Sequence, residues 1–179
     1  MEVQSSADRI AAAFRRLRKV LTRAPELGLH EDAPAIASWM GGAAVLARHA
    51  NGTQFRTDMP SELGGGGTSA TPGWLFRAGL ASCTATCIVM RAADEGIELT
   101  ELEVVASSRS DTRAIVGICD PAGAAVPSGP RDVRLKVRIA ARNAAPERLR
   151  ALVEESYRCS PVPSAVVEAV PVALETVVG

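Results

Sequence analysis

The residues best suited to chemistry in this chain are its four cysteines, Cys83, Cys87, Cys119 and Cys159. No two of them form a C-x-x-C pair, and with only two histidines, His30 and His49, no zinc-ligand spacing is present. A cysteine hydrolase would need a histidine paired with its thiol, and neither histidine has a cue for that role: His30 falls in a linker and His49 beside a turn. A thiol in a helix of small residues permits close packing, and it can also sit in a dry pocket as a reactive group. The thiolate, not the thiol, is the nucleophilic form of cysteine. A thiol in apolar surroundings needs a nearby cation to favour the charged form, and arginine is the natural source.

Cys83 and Cys87 lie four residues apart in the stretch Thr71 to Gly96, TPGWLFRAGLASCTATCIVMRAADEG. Thr71 suits an N-cap, Pro72 the first helical position and Gly96 the residue just past the end, so one long helix is expected. Between Leu75 and Met90 the only charge is Arg77, and Ala78, Gly79, Ala81, Ser82 and Ala85 are small. Such a helix is expected to be buried on several sides. Cys83 is too deep in it for the helix dipole to help. Cys87 shares its face, but a disulfide between them would strain regular helix geometry, and Cys87 reads as a small buried hydrophobe. Cys119, beside Asp120-Pro121, reads as an incidental loop residue.

Composition narrows the function classes. The chain has 179 residues, is 47% apolar and carries no net charge, which describes one folded domain with an extension. Aromatic residues make up 3%, so neither a basic footprint nor a stacking platform for nucleic acid is present. No signal-peptide pattern opens the sequence and no run is expected to reach the ~18–20 apolar residues that span a bilayer, so a cytoplasmic protein with no membrane partner is expected. There, cysteines stay reduced unless chemistry oxidises them.

The remaining elements follow from periodicity. Residues 5–23 place Ile10, Phe14, Leu17 and Leu21 on one face of an amphipathic helix rich in arginine, and Glu2 and Asp8 argue against a transit peptide. Residues 24–34 form a linker. Between Ala35 and Asp58, Asn51-Gly52 predicts a two-residue hairpin turn joining two antiparallel strands, which would set Arg48 opposite Phe55 and Ala47 opposite Arg56. Gly41-Gly42 predict a bulge or a close backbone approach. Met59 to Ala70, MPSELGGGGTSA, lacks the Lys-Ser/Thr of a phosphate-binding loop and suits a lid or linker. Strands are expected at Glu98–Ser108, Arg113–Ile118, Val133–Ala141 and Val172–Val178, and helices from Pro146 to about Arg158 and briefly after Pro161. The class is α+β with antiparallel sheet.

Three segments together resemble the osmotically inducible protein C and organic hydroperoxide resistance (OsmC/Ohr) family: PSELGGGG with Glu62, TPGWLFRAGLASC ending at Cys83, and RCSPVPSAV around Cys159. The resemblance runs from about Ala35 to Val178. It implies an OsmC-like fold, with antiparallel sheets wrapped around two long central helices in an intertwined homodimer, over residues 33–179. Residues 1–32 would be an N-terminal helix and linker. It implies a thiol peroxidase with no cofactor and no metal: Cys83 attacks an organic hydroperoxide, Cys159 closes a disulfide, and an external dithiol reduces it. Glu62 takes the place of the carboxylate that orients the family's arginine. At the arginine's own position stands Ala43, and Arg56 is the substitute chosen because the expected hairpin puts it on Ala43's face. At the second cysteine's position stands Ser160, with Cys159 one residue early. The alternative implied by these departures is a catalytically degenerate relative that binds a hydrophobic small molecule or senses redox state.

Overall fold

The structure of the protein, a computed structural model, describes residues 5–179, so Glu2 of the first-helix argument lies outside the described residues. Four α-helices and five strands occur among them: α1 (Ser6–Arg23), β1 (Ile36–Gly41), β2 (Ala44–Arg48), β3 (Gln54–Thr57), α2 (Pro72–Asp94), β4 (Leu99–Arg109), β5 (Arg131–Ala141), α3 (Pro146–Arg158) and α4 (Pro161–Val167). The protein is α+β with two antiparallel sheets, β1-β2-β3 and β4-β5. It divides into two compact units, residues 12–78 and residues 79–179 together with the segment up to Ala11.

In the first unit the Asn-Gly pair lies in a hairpin loop as expected, and the glycine pair adds a second hairpin beside the register irregularity expected near it. Gly41 and Gly42, with φ of 102° and 56°, turn the chain from β1 into β2, so there are two hairpins rather than one. At the second hairpin His49 N–H donates to Thr53 O at 2.9 Å, leaving Ala50, Asn51 and Gly52 as a three-residue loop. Only Gly52 takes positive φ there, at 91°, as in a type I turn closed by a left-handed residue. The longer loop slips the register by one: Leu46 pairs with Arg56 and Ala47 with Phe55. A one-residue slip reverses every face. Arg56 therefore shares a face with Leu46 and Arg48, not with Ala47, and the ground for choosing it is corrected.

The second unit holds the main core. Thr71 caps α2 through its Oγ1, which accepts from Trp74 N–H at 3.2 Å. At the other end Gly96 has φ of 68° and Ile97 N–H donates to Ala92 O at 2.8 Å, which stops the helix in a Schellman motif. Asn143 then clamps the start of β4 to the end of β5: its Oδ1 accepts from Glu98 N–H and its Nδ2 donates to Gly96 O, both at 2.8 Å. Ile88, Ala92, Ile97, Leu149 and Leu152 form the buried cluster, joined by Leu102, Val104, Val137 and Ile139 from the inner face of β4-β5. The alternation expected in these two strands is realised, with Leu102 opposite Ile139 and Val104 opposite Val137. Arg138 on the outer face pairs with Glu101 and Glu103 at 3.6 and 3.7 Å.

Two expected strands are absent among the described residues. At 113–118 the Asp111 carboxylate accepts from both the backbone and the guanidinium of Arg113, which winds Thr112–Ala114 into a 3-10 turn. That guanidinium holds the Asp111 carboxyl down to about 2. Residues 172–178 have the strand pattern but pair with no described strand, and Val172 and Leu174 stand 93% and 91% exposed.

The expected all-round burial of α2 is corrected as well. Its buried residues are Leu80, Thr84, Ile88, Ala92 and Ala93, essentially one line at i, i+4 spacing, while Ser82, Thr86 and Val89 are exposed. Contrary to the sequence expectation, α2 is by length and composition alone long and apolar enough to cross a membrane.

Candidate thiol site

One stripe of α2 carries Gly79, Cys83, Cys87 and Arg91 at four-residue intervals, so all four lie on one side of the helix. That side meets the corner where α3 gives way to α4. A Cβ at Gly79 would lie 4.0 Å from Val162 Cγ1, and the Cys87 thiol donates to the Cys159 carbonyl oxygen at 3.9 Å. Arg91 Nη2 donates to Cys159 Sγ at 3.4 Å. Cys83 sits between the first two contacts, one turn from each. Its side chain is half-buried, and among the described residues no hydrogen bond or ion pair reaches its sulfur.

The corner itself is set by Ser160. Its side chain is fully buried, its Oγ donates to Ser156 O at 3.0 Å, and its carbonyl accepts from Ser164 N–H at 3.0 Å to start α4. Pro161 follows as the first residue of α4. Cys159, the residue just past α3, is thereby turned outward and exposed. Ser160 is thus a structural residue, and the thiol one place earlier, Cys159, is the accessible one.

Arg91 does not hang free. Its Nη1 lies 3.3 Å from Glu155 Oε2, and Glu155 is also held by Arg148, which in turn grips Glu95 at 2.6 Å. The Arg148 hydrogen bonds keep the Glu155 carboxyl below the usual carboxylate range, with the charge of Arg91 adding to the effect. Reciprocally, Glu155 and Glu95 hold the Arg148 guanidinium firmly protonated. Sequence reasoning assigned no role to Arg91, although its position one turn after Cys87 was a legible signal.

Beside the stripe, an apolar pocket of about 540 Å³ is lined by Leu80 and Thr84 of α2, Leu135 and Val137 of β5, and Tyr157 and Val166 from the corner helices. Its volume and lining suit an apolar small molecule.

Glu62 and Arg56 belong to the other unit. Both are exposed, Glu62 in a 3-10 turn (Ser61–Leu63) where it accepts from Ser61 Oγ at 3.2 Å. The glycine-rich loop that follows is organised by a residue sequence reasoning passed over. Asp58, 3% exposed, accepts from Met59 N–H at 2.8 Å, Gly66 N–H at 3.1 Å and Thr68 Oγ1 at 3.2 Å. The Met59 N–H, with Thr68 and Gly66 behind it, lowers the Asp58 carboxyl below its ordinary value against the opposing effect of burial. Gly65 is required because a Cβ there would stand 1.8 Å from Met59 O. The segment expected to be a lid or linker is a loop wound around a carboxylate.

Residues 65–175, which contain α2, both of its cysteines and Cys159, match the family model described as OsmC-like protein. The chain belongs to the OsmC-like family. Several solved structures share its fold. An OsmC-like protein from Mycoplasma pneumoniae is 15% identical, with a TM-score of 0.63 over 79% of this chain and 91% of its own. The organic hydroperoxide resistance protein OsmC of Legionella pneumophila is 21% identical, with a TM-score of 0.55 over 76% of this chain and 91% of that one. The organic hydroperoxide resistance protein OhrB of Bacillus subtilis is 22% identical, with a TM-score of 0.50 over 76% and 90%. No curated protein matches the chain in sequence.

Proposed function

We propose that this OsmC-like protein is a thiol-dependent peroxidase acting on organic hydroperoxides in the oxidative stress response. The observation that carries the reading is the placement of Cys83 on the stripe of α2 that packs against the corner bearing Cys159. In the proposed reaction the Cys83 thiolate attacks one peroxide oxygen, the O–O bond breaks, and the alcohol departs with a proton, leaving Cys83 as a sulfenic acid. The Cys159 thiol then attacks that sulfur, a disulfide forms and water leaves. An external dithiol returns both cysteines to thiols and is itself oxidised to a disulfide. The apolar pocket beside the stripe would take the organic tail of the substrate. Glu62 is assigned the orienting carboxylate, and Arg56 is kept only as the cation to be tested, since its register no longer argues for it.

Residues 33–179 would form the OsmC-like domain, with 1–32 as an appended helix and linker, and two copies would intertwine. Supporting the homodimer, an 18-residue apolar window of α2 is only 17% buried in a single chain, and Trp39 and Phe55 of the first sheet are 75% and 55% exposed. Reduction by a dithiol fits a cytoplasmic, reducing setting.

A second reading has its own support: Ala43 at the arginine's position, a Cys83 sulfur that receives no hydrogen bond among the described residues, and a ready apolar pocket. Under it the protein binds a hydrophobic small molecule or senses redox state without turnover. Peroxide consumption decides between them. With a dithiol present, wild type should consume cumene hydroperoxide faster than hydrogen peroxide, and Cys83→Ser should not. Loss no faster than a free thiol gives would reject the peroxidase and leave the binding reading.

A further inference from the structure

Cys159 has a partner set that the proposed peroxidase cycle leaves unused. The stripe of α2 presents Cys87 and Arg91 to it one turn apart: Cys87 Sγ lies 3.9 Å from its carbonyl oxygen and Arg91 Nη2 lies 3.4 Å from its sulfur. Arg91 is held by Glu155, which Arg148 and Glu95 hold in turn. Within that network two cations meet two carboxylates and balance, so a negative sulfur at Cys159 would face a guanidinium whose position is already fixed. A guanidinium N–H aimed at sulfur is the charge-assisted contact that suits an attacking thiolate. Cys159 is exposed, while Cys87, within 3.9 Å of its carbonyl oxygen, is half-buried. The outer sulfur is therefore the one a reagent meets first, and the inner sulfur is the one in place to follow.

We infer that Cys159, Cys87 and Arg91 form a thiol–disulfide exchange site for accessible disulfides, with Cys159 attacking and Cys87 closing the bridge. In the first step the Cys159 thiolate attacks a disulfide RSSR, the S–S bond breaks, and RS⁻ departs and takes up a proton. In the second the Cys87 thiol, losing its proton, attacks the mixed disulfide, expels a second RSH and forms Cys87–Cys159. The two cysteines are oxidised by two electrons and RSSR is reduced to two thiols. Run backwards, the same steps let an external dithiol enter at Cys159. The inference rests on the peroxidase reading only for what would oxidise the pair in turnover.

The test needs no peroxide. The full chain carrying Cys83→Ser and Cys119→Ser is reduced, desalted and incubated with bis(2-hydroxyethyl) disulfide. Intact mass follows the mixed disulfide, and non-reducing tryptic mapping follows the bridge. The expected result is a transient adduct at Cys159 replaced by a link between the peptides 78–91 and 159–179. Adding Cys87→Ala should make the adduct persist. Arg91→Gln should slow adduct formation ~10-fold, the loss of one charge-assisted hydrogen bond, with Arg91→Lys in between. A persistent Cys159 adduct with Cys87 still a free thiol overturns the inference, and so does an adduct rate unchanged by Arg91→Gln. The two readings fail separately: peroxide turnover with only a Cys83–Cys159 bridge keeps the peroxidase and removes this site. A Cys87–Cys159 bridge in a chain that consumes no peroxide does the reverse.

Discussion

Exchanging the two residues at the α3–α4 corner, Cys159→Ser with Ser160→Cys, puts the second thiol where the family resemblance expects it, and the structure says this should hide it rather than repair it. Ser160 is 0% exposed, and three hydrogen bonds tie it down: its Oγ to Ser156 O at 3.0 Å, its N–H to Tyr157 O at 3.1 Å, and Ser164 N–H to its carbonyl at 3.0 Å. A reagent reaches sulfur at 160 only when the corner opens. Two backbone bonds survive the exchange and the thiol replaces the hydroxyl as a weaker donor, so at ~1 kcal/mol net for each bond, opening costs about 2–3 kcal/mol. At 1.4 kcal/mol per factor of ten this slows access roughly 30- to 150-fold. In a background with Cys83, Cys87 and Cys119 all changed to Ser, one thiol remains in each protein. Maleimide alkylation followed by intact mass should be fast for Cys159 and slower by that factor in the exchanged protein. In the otherwise native background the exchange should lower peroxide turnover by slowing disulfide closure. Alkylation within a few-fold of Cys159, or turnover raised by the exchange, would refute the account of this corner.

Other consequences can be checked directly. Asp58→Asn should loosen the glycine-rich loop, seen as faster hydrogen exchange at Gly66 and Thr68. Because the folded carboxyl titrates below its ordinary value, its stabilisation is fully present above the unfolded value near 4 and is lost as pH falls through the folded one, so the gap from wild type should close on acidification. Gly65→Ala should distort the same loop at every pH, since the new Cβ would meet Met59 O at 1.8 Å. Leu152→Ala, at a position 0% exposed in the main cluster, should cost about 2–5 kcal/mol and lower Tm by on the order of 5–15 °C in calorimetry.

The elements that local chemistry defines were legible in the sequence. Thr71, Pro72 and Gly96 delimit α2 because capping is a matter of a few adjacent residues, and the alternation in β4 and β5 survives because one face of that sheet meets the core. Errors arose where two local solutions compete. Asn51-Gly52 supports a two-residue turn with both φ positive, yet the three-residue loop needs positive φ at Gly52 alone, and one extra residue sufficed to turn Arg56 over. Arg113–Ile118 has strand-forming residues, but the Asp111–Arg113 pair satisfies a turn within two positions. Cys83 and Cys159 of the thiol site, and Glu62 of the other unit, were visible as residue types in the order on which the family resemblance rests. The roles of Arg91 and Asp58 were not: Arg91 meets its partner Cys159 at a separation of 68 residues, and Asp58 is held by the N–H groups of Met59 and Gly66 in a loop whose path its glycines leave unspecified.

The expectation of all-round burial for α2 failed in a different and more useful way. Small and apolar residues circle that helix, whereas the single chain buries essentially the line Leu80–Thr84–Ile88–Ala92. Burying side chains drives packing only if something covers them, and elsewhere in the chain Trp39, Phe55, Val172 and Leu174 are each more than half exposed. Under the proposed homodimer, composition reports the burial of the pair, and a helix too apolar for one chain measures what a second copy would contribute. The unpaired pattern at 172–178 argues in the same direction, since a strand needs a partner edge and this segment pairs with none of the described strands. Light scattering after size exclusion should therefore give twice the 18.7 kDa chain mass at micromolar concentration. A charge placed on the bare side of α2, Val89→Glu, should return it to a single chain that keeps β4-β5 and loses solubility. A wild-type monomer at that concentration would mean that α2 is bare in the working protein, and the intertwined homodimer would have to be abandoned.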